Sequence, residues 1–165
     1  MLRNLFVVLS LVSTTLVTMS FAPTVYADDA VYLKENAKLV VSNRAKALDI
    51  LKMLGVPVST AKPTGGATLL DVNQQYFILN QMTFKQIAAK VGADSVDTPI
   101  PTEDKLVDQN HTILMGNGMV CKSIAAKLGI EFMAPEAGAT VLETNNKILK
   151  ANAVLLEKVA AKVKK

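Results

Sequence analysis

Residues 140–164 read TVLETNNKILKANAVLLEKVAAKVK, and this stretch decides the fold class. Its apolar residues, Val141/Leu142, Ile148/Leu149, Leu155/Leu156, Val159 and Val163, recur at three- and four-residue steps, the period of one helix face. By its periodicity this reads as the longest regular segment of the chain. A long C-terminal helix from Thr140 to Lys164 follows.

Working outward, Pro135 and Gly138 mark a loop before this helix. A helix over 119–128 precedes that loop and stops at Gly129. Thr112 to Met115 followed by Asn117-Gly118 suits a short strand entering a tight turn. Thr102-Glu103-Asp104 can open a short helix reaching Gln109, and Pro99 with Pro101 requires 98–102 to be extended. Thr83-Phe84-Lys85-Gln86 fits a capping box, starting a helix over 84–91 that Gly92 closes. Leu69, Val72, Tyr76 and Leu79 suit a helix by their spacing, while four large residues at 76–79 equally suit a buried strand.

Nearer the N-terminus, Asp28 or Asp29 can cap a helix to about Val41. Ser42-Asn43 offers a fresh cap for a second helix over 44–54, stopped by Gly55 and Pro57. Pro63, Gly65 and Gly66 make 59–67 the clearest loop or linker. The sum is a mainly α chain: one small domain of several short helices and a long C-terminal helix, with a minor β element near Tyr76 and Thr112. Phe84–Gly92 (FKQIAAKVG) is echoed by Cys121–Gly129 (CKSIAAKLG). The pattern fits a duplicated unit and fits two amphipathic helices with like needs equally well.

Residues 1–27 read as a secretory signal peptide. Arg3 supplies the positive start, 5–17 is mostly apolar, and Val25-Tyr26-Ala27 presents small or β-branched residues where a signal peptidase reads. Cleavage after Ala27 leaves a mature domain over 28–165, in the periplasm or secreted, with no further transmembrane span. The formal net charge is +4, and the lysines at 158, 162, 164 and 165 complement a helix C-terminus. A modest excess of this kind otherwise favours loose contact with anionic envelope polymers or phospholipid, and an exported chain is expected to have no nucleic-acid partner. Cys121 is the single cysteine, so no internal disulfide forms; its apolar neighbours point to burial.

Residue types that carry catalysis are scarce. There is one histidine, the carboxylate pairs Asp28/Asp29 and Glu103/Asp104 sit at helix starts, and Gly65-Gly66 lacks the Lys-Ser/Thr of a phosphate loop. The reading is therefore a non-enzyme with no cofactor. His111, Met115 and Met119 fall at four-residue steps with Cys121 close by, soft donors that on a continuous helix would share a face and could hold copper. Gly116 and Gly118 argue against such continuity, and core filling is the other use of those methionines.

Two resemblances accompany this reading. The segment 77–92 resembles the helix and turn that precede a recognition helix in bacterial regulators, but Pro99 and Pro101 occupy the place of that next helix. The stretch Tyr76–Ala88 resembles the opening of a LysM module, with Tyr76, Ile78, Thr83, Phe84, Ile87 and Ala88 in register through to Gly92. The usual Gly-Asp before Thr83 is replaced by Gln81-Met82. That resemblance implies binding of peptidoglycan or a related glycan through Tyr76, Thr83 and Phe84. The expectation is thus an exported, non-enzymatic cell-envelope protein in a binding, accessory or assembly role. Its partner would be an envelope protein or a cell-wall polymer, with self-association open. Glycan binding and periplasmic copper handling are the two sharper versions.

Overall fold

Gly55, Gly92 and Gly129 lie 37 residues apart in the sequence, and each adopts a left-handed backbone with φ of 69°, 70° and 62°, where any other residue is strained. Each ends a helix in the same way. The next residue's N–H, of Val56, Ala93 or Ile130, reaches back to the carbonyl of Leu51, Ala88 or Ala125 at 2.8–2.9 Å, the six-to-one bond of a Schellman turn. The computed structural model describes residues 22–59 and 61–164. They form helices α1 (Ala22–Met53), α2 (Leu69–Val91), α3 (Leu106–Leu128) and α4 (Val141–Val163) in a single domain, with no strand among the described residues.

Side-chain hydrogen bonds between helices give their relative direction. Asn36 and Asn43 of α1 donate to the carbonyls of Leu142 and Leu149 on α4. Asn110 and Asn117 of α3 donate to those of Leu70 and Phe77 on α2. In both pairs the partner number rises as the donor number rises, so the helices run parallel. Ion pairs Glu35–Lys150 and Lys46–Glu157 follow the same order between α1 and α4. Each helix packs on its two neighbours and not on the diagonal one. The result is a square of four parallel helices.

Parallel neighbours need long returns. A 23-residue helix rises about 35 Å, and the segments 54–68, 92–105 and 129–140, extended at about 3.3 Å per residue, can span it. The bundle surface pins them in descending order. Asp94 accepts from Ser123 Oγ near the end of α3, and Thr98 and Pro99 lie beside Gly116 at its middle. Lys158 reaches Glu131 O, whereas Lys147 reaches Ala137 O. Arg44, buried, donates to Ser59 O and Ala61 O at 3.4 and 3.1 Å and so fastens the first return.

Four parallel helix dipoles repel one another side by side, and charge at the ends offsets this. Lys52, Lys90, Lys127 and Lys162 occupy the four last turns, and Asp71, Asp108 and Glu143 the first turns of α2, α3 and α4. Thr68 and Asp71 form a reciprocal capping box, and Thr140 Oγ1 accepts from Glu143 N–H.

The core follows a heptad with one position per layer from each helix. Val40, Phe77, Leu114 and Leu149 form one layer; Ala47, Phe84, Cys121 and Leu156 another; Ile50, Ile87, Ile124 and Val159 a third. All twelve are buried. Two further layers are asparagine: Asn36, Asn73, Asn110 and Asn145, then Asn43, Asn80, Asn117 and Asn152, each at most 2% exposed.

Several expectations are corrected. Asn43 does not cap a second helix but lies inside α1. Thr83 caps nothing: it is buried within α2, where its hydroxyl donates to Leu79 O. The strand and turn expected at 112–118 are the middle of α3, and 76–79 is helical, so the minor β element is absent among the described residues. The helix expected over 103–109 begins at Leu106 and continues to Leu128. A LysM module folds as βααβ, and a strandless bundle overturns that resemblance. The C-terminal helix, the glycine stops and the extended stretch around Pro99 stand as expected, but that helix is not the longest: it matches α2 and α3 at 23 residues, and α1 has 32. The signal-peptide reading falls on 1–27, of which 1–21 lie outside the described residues. No described helix is long and apolar enough to cross a membrane.

Candidate functional site

The sequence-derived site residues divide sharply once placed. Thr83 and Phe84 are core residues: Phe84 is 1% exposed, and Thr83 accepts from the Arg44 guanidinium at 3.3 Å. Tyr76 is half-buried against the Val40–Phe77–Leu114 cluster. No sugar-facing loop is made from these three.

His111, Met115 and Met119 come together. Because α3 is continuous, their four-residue steps, about 6 Å of rise each, align them along one face. That face is one wall of a groove of 430 Å³. Thr144 and Ile148 of α4 form its other side, and Phe132, Ala134, Pro135 and Ala137 of the third return close it. Gly118 also lies in the groove wall, and Lys122 stands at its end. Met115 and Met119 are 45% and 44% exposed, so their thioethers are accessible rather than used as filler.

The histidine is held from behind. Its Nδ1 lies 2.7 Å from Asn145 Oδ1. A side-chain carbonyl only accepts, so the tautomer that satisfies this contact carries its proton on Nδ1, and an uncharged ring then has its lone pair on Nε2. A ring nitrogen held by an oxygen behind it, with the other nitrogen free, is the arrangement that second-sphere partners give to metal-ligating histidines. With two thioethers at i+4 and i+8, the groove offers one borderline and two soft donors, a set suited to Cu(I) and poorly suited to hard cations.

Cys121 does not join them. It is fully buried in the core layer with Ala47, Phe84 and Leu156, and burial pushes its thiol up to about 12. It is a protonated packing residue, not a thiolate ligand. Among the described residues no three His, Cys, Asp or Glu side chains cluster as a metal site; methionine is what distinguishes this groove.

Sequence reasoning missed the two asparagine layers. The signal was present: Asn36/Asn43, Asn73/Asn80, Asn110/Asn117 and Asn145/Asn152 are all seven apart, and the first three pairs repeat every 37 residues in step with Gly55, Gly92 and Gly129. The Phe84–Gly92 and Cys121–Gly129 echo is one part of this longer register. Around the square, Nδ2 donates to the carbonyl three residues before the neighbouring helix's own asparagine, from α3 to α2, α2 to α1 and α1 to α4. Between α4 and α3 the pattern changes, and there Asn145 turns its oxygen to His111. No known family model matches this chain, and no curated protein or solved structure shows significant similarity to it.

Proposed function

We propose that this chain is an exported, non-enzymatic cell-envelope protein that binds Cu(I) in the groove of His111, Met115 and Met119 and exchanges it with an envelope partner. The observation that carries the reading is the contact of His111 Nδ1 with Asn145 Oδ1 at 2.7 Å, which occupies one ring nitrogen and leaves Nε2 for a ligand, on a groove wall that also holds two exposed methionines. Thioether ligation favours the reduced ion and asks for no deprotonation, so only His111 must be neutral to bind. The location outside the cytoplasm rests on the signal-like segment 1–27, and cleavage after Ala27 belongs to the same reading.

The test is a Cu(I) titration under reducing, anaerobic conditions against a chromophoric chelator. One ion per chain is expected. His111→Ala should weaken binding at least about 10-fold, the scale on which even outer partners act, and Met115→Leu with Met119→Leu should do likewise while keeping the groove apolar. Zn²⁺ should bind far more weakly. Failure to retain stoichiometric Cu(I), or equal retention by the His111 variant, overturns the reading. An apolar ligand or peptide would then be the better occupant of the groove.

A further inference from the structure

The second asparagine layer has a feature that packing does not explain. All four of its side-chain oxygens, Oδ1 of Asn43, Asn80, Asn117 and Asn152, are buried and have no hydrogen-bond partner. Three of the four amides cannot swap ends to relieve this. Nδ2 of Asn43, Asn80 and Asn117 donates at 2.9, 3.2 and 3.0 Å to Leu149, Val40 and Phe77 carbonyls, and a flip would set oxygen against oxygen. Each abandoned acceptor costs about 1–3 kcal/mol, and native folds leave few of them without a water or an ion to explain them.

We propose that this layer binds one monovalent alkali cation on the bundle axis. The four asparagines stand at one height, because the helices are parallel and in register. Their oxygens are the negative ends of four amide dipoles, all buried without a partner in one layer, a setting that repels an anion and attracts a cation. The donors are hard and neutral, which suits alkali ions. No Asp or Glu is among the buried polar residues of the described chain, so a divalent ion there would lack the carboxylates it usually takes. A water brings only two donors and answers two of the four oxygens, whereas one cation answers all four. Ala47 and Cys121 keep two corners of the next layer small.

The experiment is thermal unfolding of the full chain in chloride salts of sodium, potassium, rubidium, caesium and choline at one fixed ionic strength. In a saturating concentration of the preferred alkali ion, the midpoint should exceed that in choline by about 5–10 °C and rise with the logarithm of cation concentration. The Asn80→Leu/Asn117→Leu variant fills the layer with apolar side chains of similar size and should unfold at one temperature in all five salts. Crystals grown in rubidium should add an anomalous peak inside the ring. Equal midpoints for the unmodified chain in all five salts would mean water only and overturn the proposal. So would ion dependence that survives in the variant, or an empty ring in rubidium.

Discussion

Two glycines two residues apart on α3 provide a test of the parallel topology, because they ask the same question of helix propensity and opposite questions of packing. A glycine inside a helix costs about 0.5–1 kcal/mol relative to alanine, so Gly→Ala at either position gains that much from the backbone. At Gly118 a new Cβ would meet nothing nearer than Ile148 Cγ2 at 4.0 Å, ordinary contact, and the gain is kept. At Gly116 it would meet Gln81 Nε2 at 2.9 Å, Thr98 Cβ at 3.1 Å and Pro99 Cδ at 3.3 Å. The glutamine can swing aside; the second return, crossing α3 at Thr98-Pro99, cannot do so cheaply. Overpacking of that kind costs about 1–3 kcal/mol. Gly118→Ala should therefore raise the unfolding midpoint, and Gly116→Ala should leave it level or lower it. A gap of roughly 3–12 °C between the variants follows for a domain of this size. Matched thermal melts followed by circular dichroism measure it. If Gly116→Ala stabilises as much as Gly118→Ala, the return does not lie against α3, and the parallel path of the chain is wrong.

Two further outcomes follow from the environments of single groups. With its thiol pushed up to about 12 by burial, Cys121 should resist a thiol reagent at pH 8 in the native protein and react fully once denatured; rapid native labelling would remove it from the core. The Glu143 carboxyl is held below its usual range by the Ala139 N–H and then by Lys147. A depressed folded value contributes stability above the unfolded carboxyl range, about pH 4.3, and loses it as pH falls through the folded value. Glu143→Gln should thus be the less stable form at pH 7, with the difference from the unmodified chain closing on acidification; a constant difference down to pH 2 would refute the assignment.

The parts of the fold legible in the sequence are those fixed by local chemistry. Gly55, Gly92 and Gly129 end helices because only glycine adopts the left-handed turn cheaply, and Thr140 caps α4 through its own hydroxyl. Where the reading failed, a residue with strong local habits serves a tertiary role. Asn43, Thr83 and the Asn117-Gly118 pair all favour caps and turns when judged alone. In the bundle, Asn43 and Asn117 spend their amides on neighbouring helices, and Thr83 receives Arg44. Helix α3 then runs straight through the place where a turn was expected. The His111–Met115–Met119 stripe was visible from its spacing. Its groove was not, since α4 forms the other side and the third return closes it, and the course of that return depends on the helices being parallel.

The asparagine layers connect that topology to the site. Buried amides are poor contributors to net stability, yet a polar residue at a core heptad position specifies which alignments are allowed. Here the rule is demanding: each donor needs a carbonyl three residues before its neighbour's asparagine, at the same height and on a helix of the same direction. Sliding α3 by one heptad would set Asn43, Asn80 and Asn152 against Ile124, leaving polar groups facing an apolar side chain at about 1–3 kcal/mol for each one unpaired. An antiparallel neighbour would present its carbonyls facing the other way. The register so chosen determines where each return lies, and the third return closes the groove that His111 lines. In the first layer, Asn145 turns its oxygen to that histidine instead of leaving it in the core. The polar core and the groove are thus parts of one arrangement, and a change of register would dismantle both.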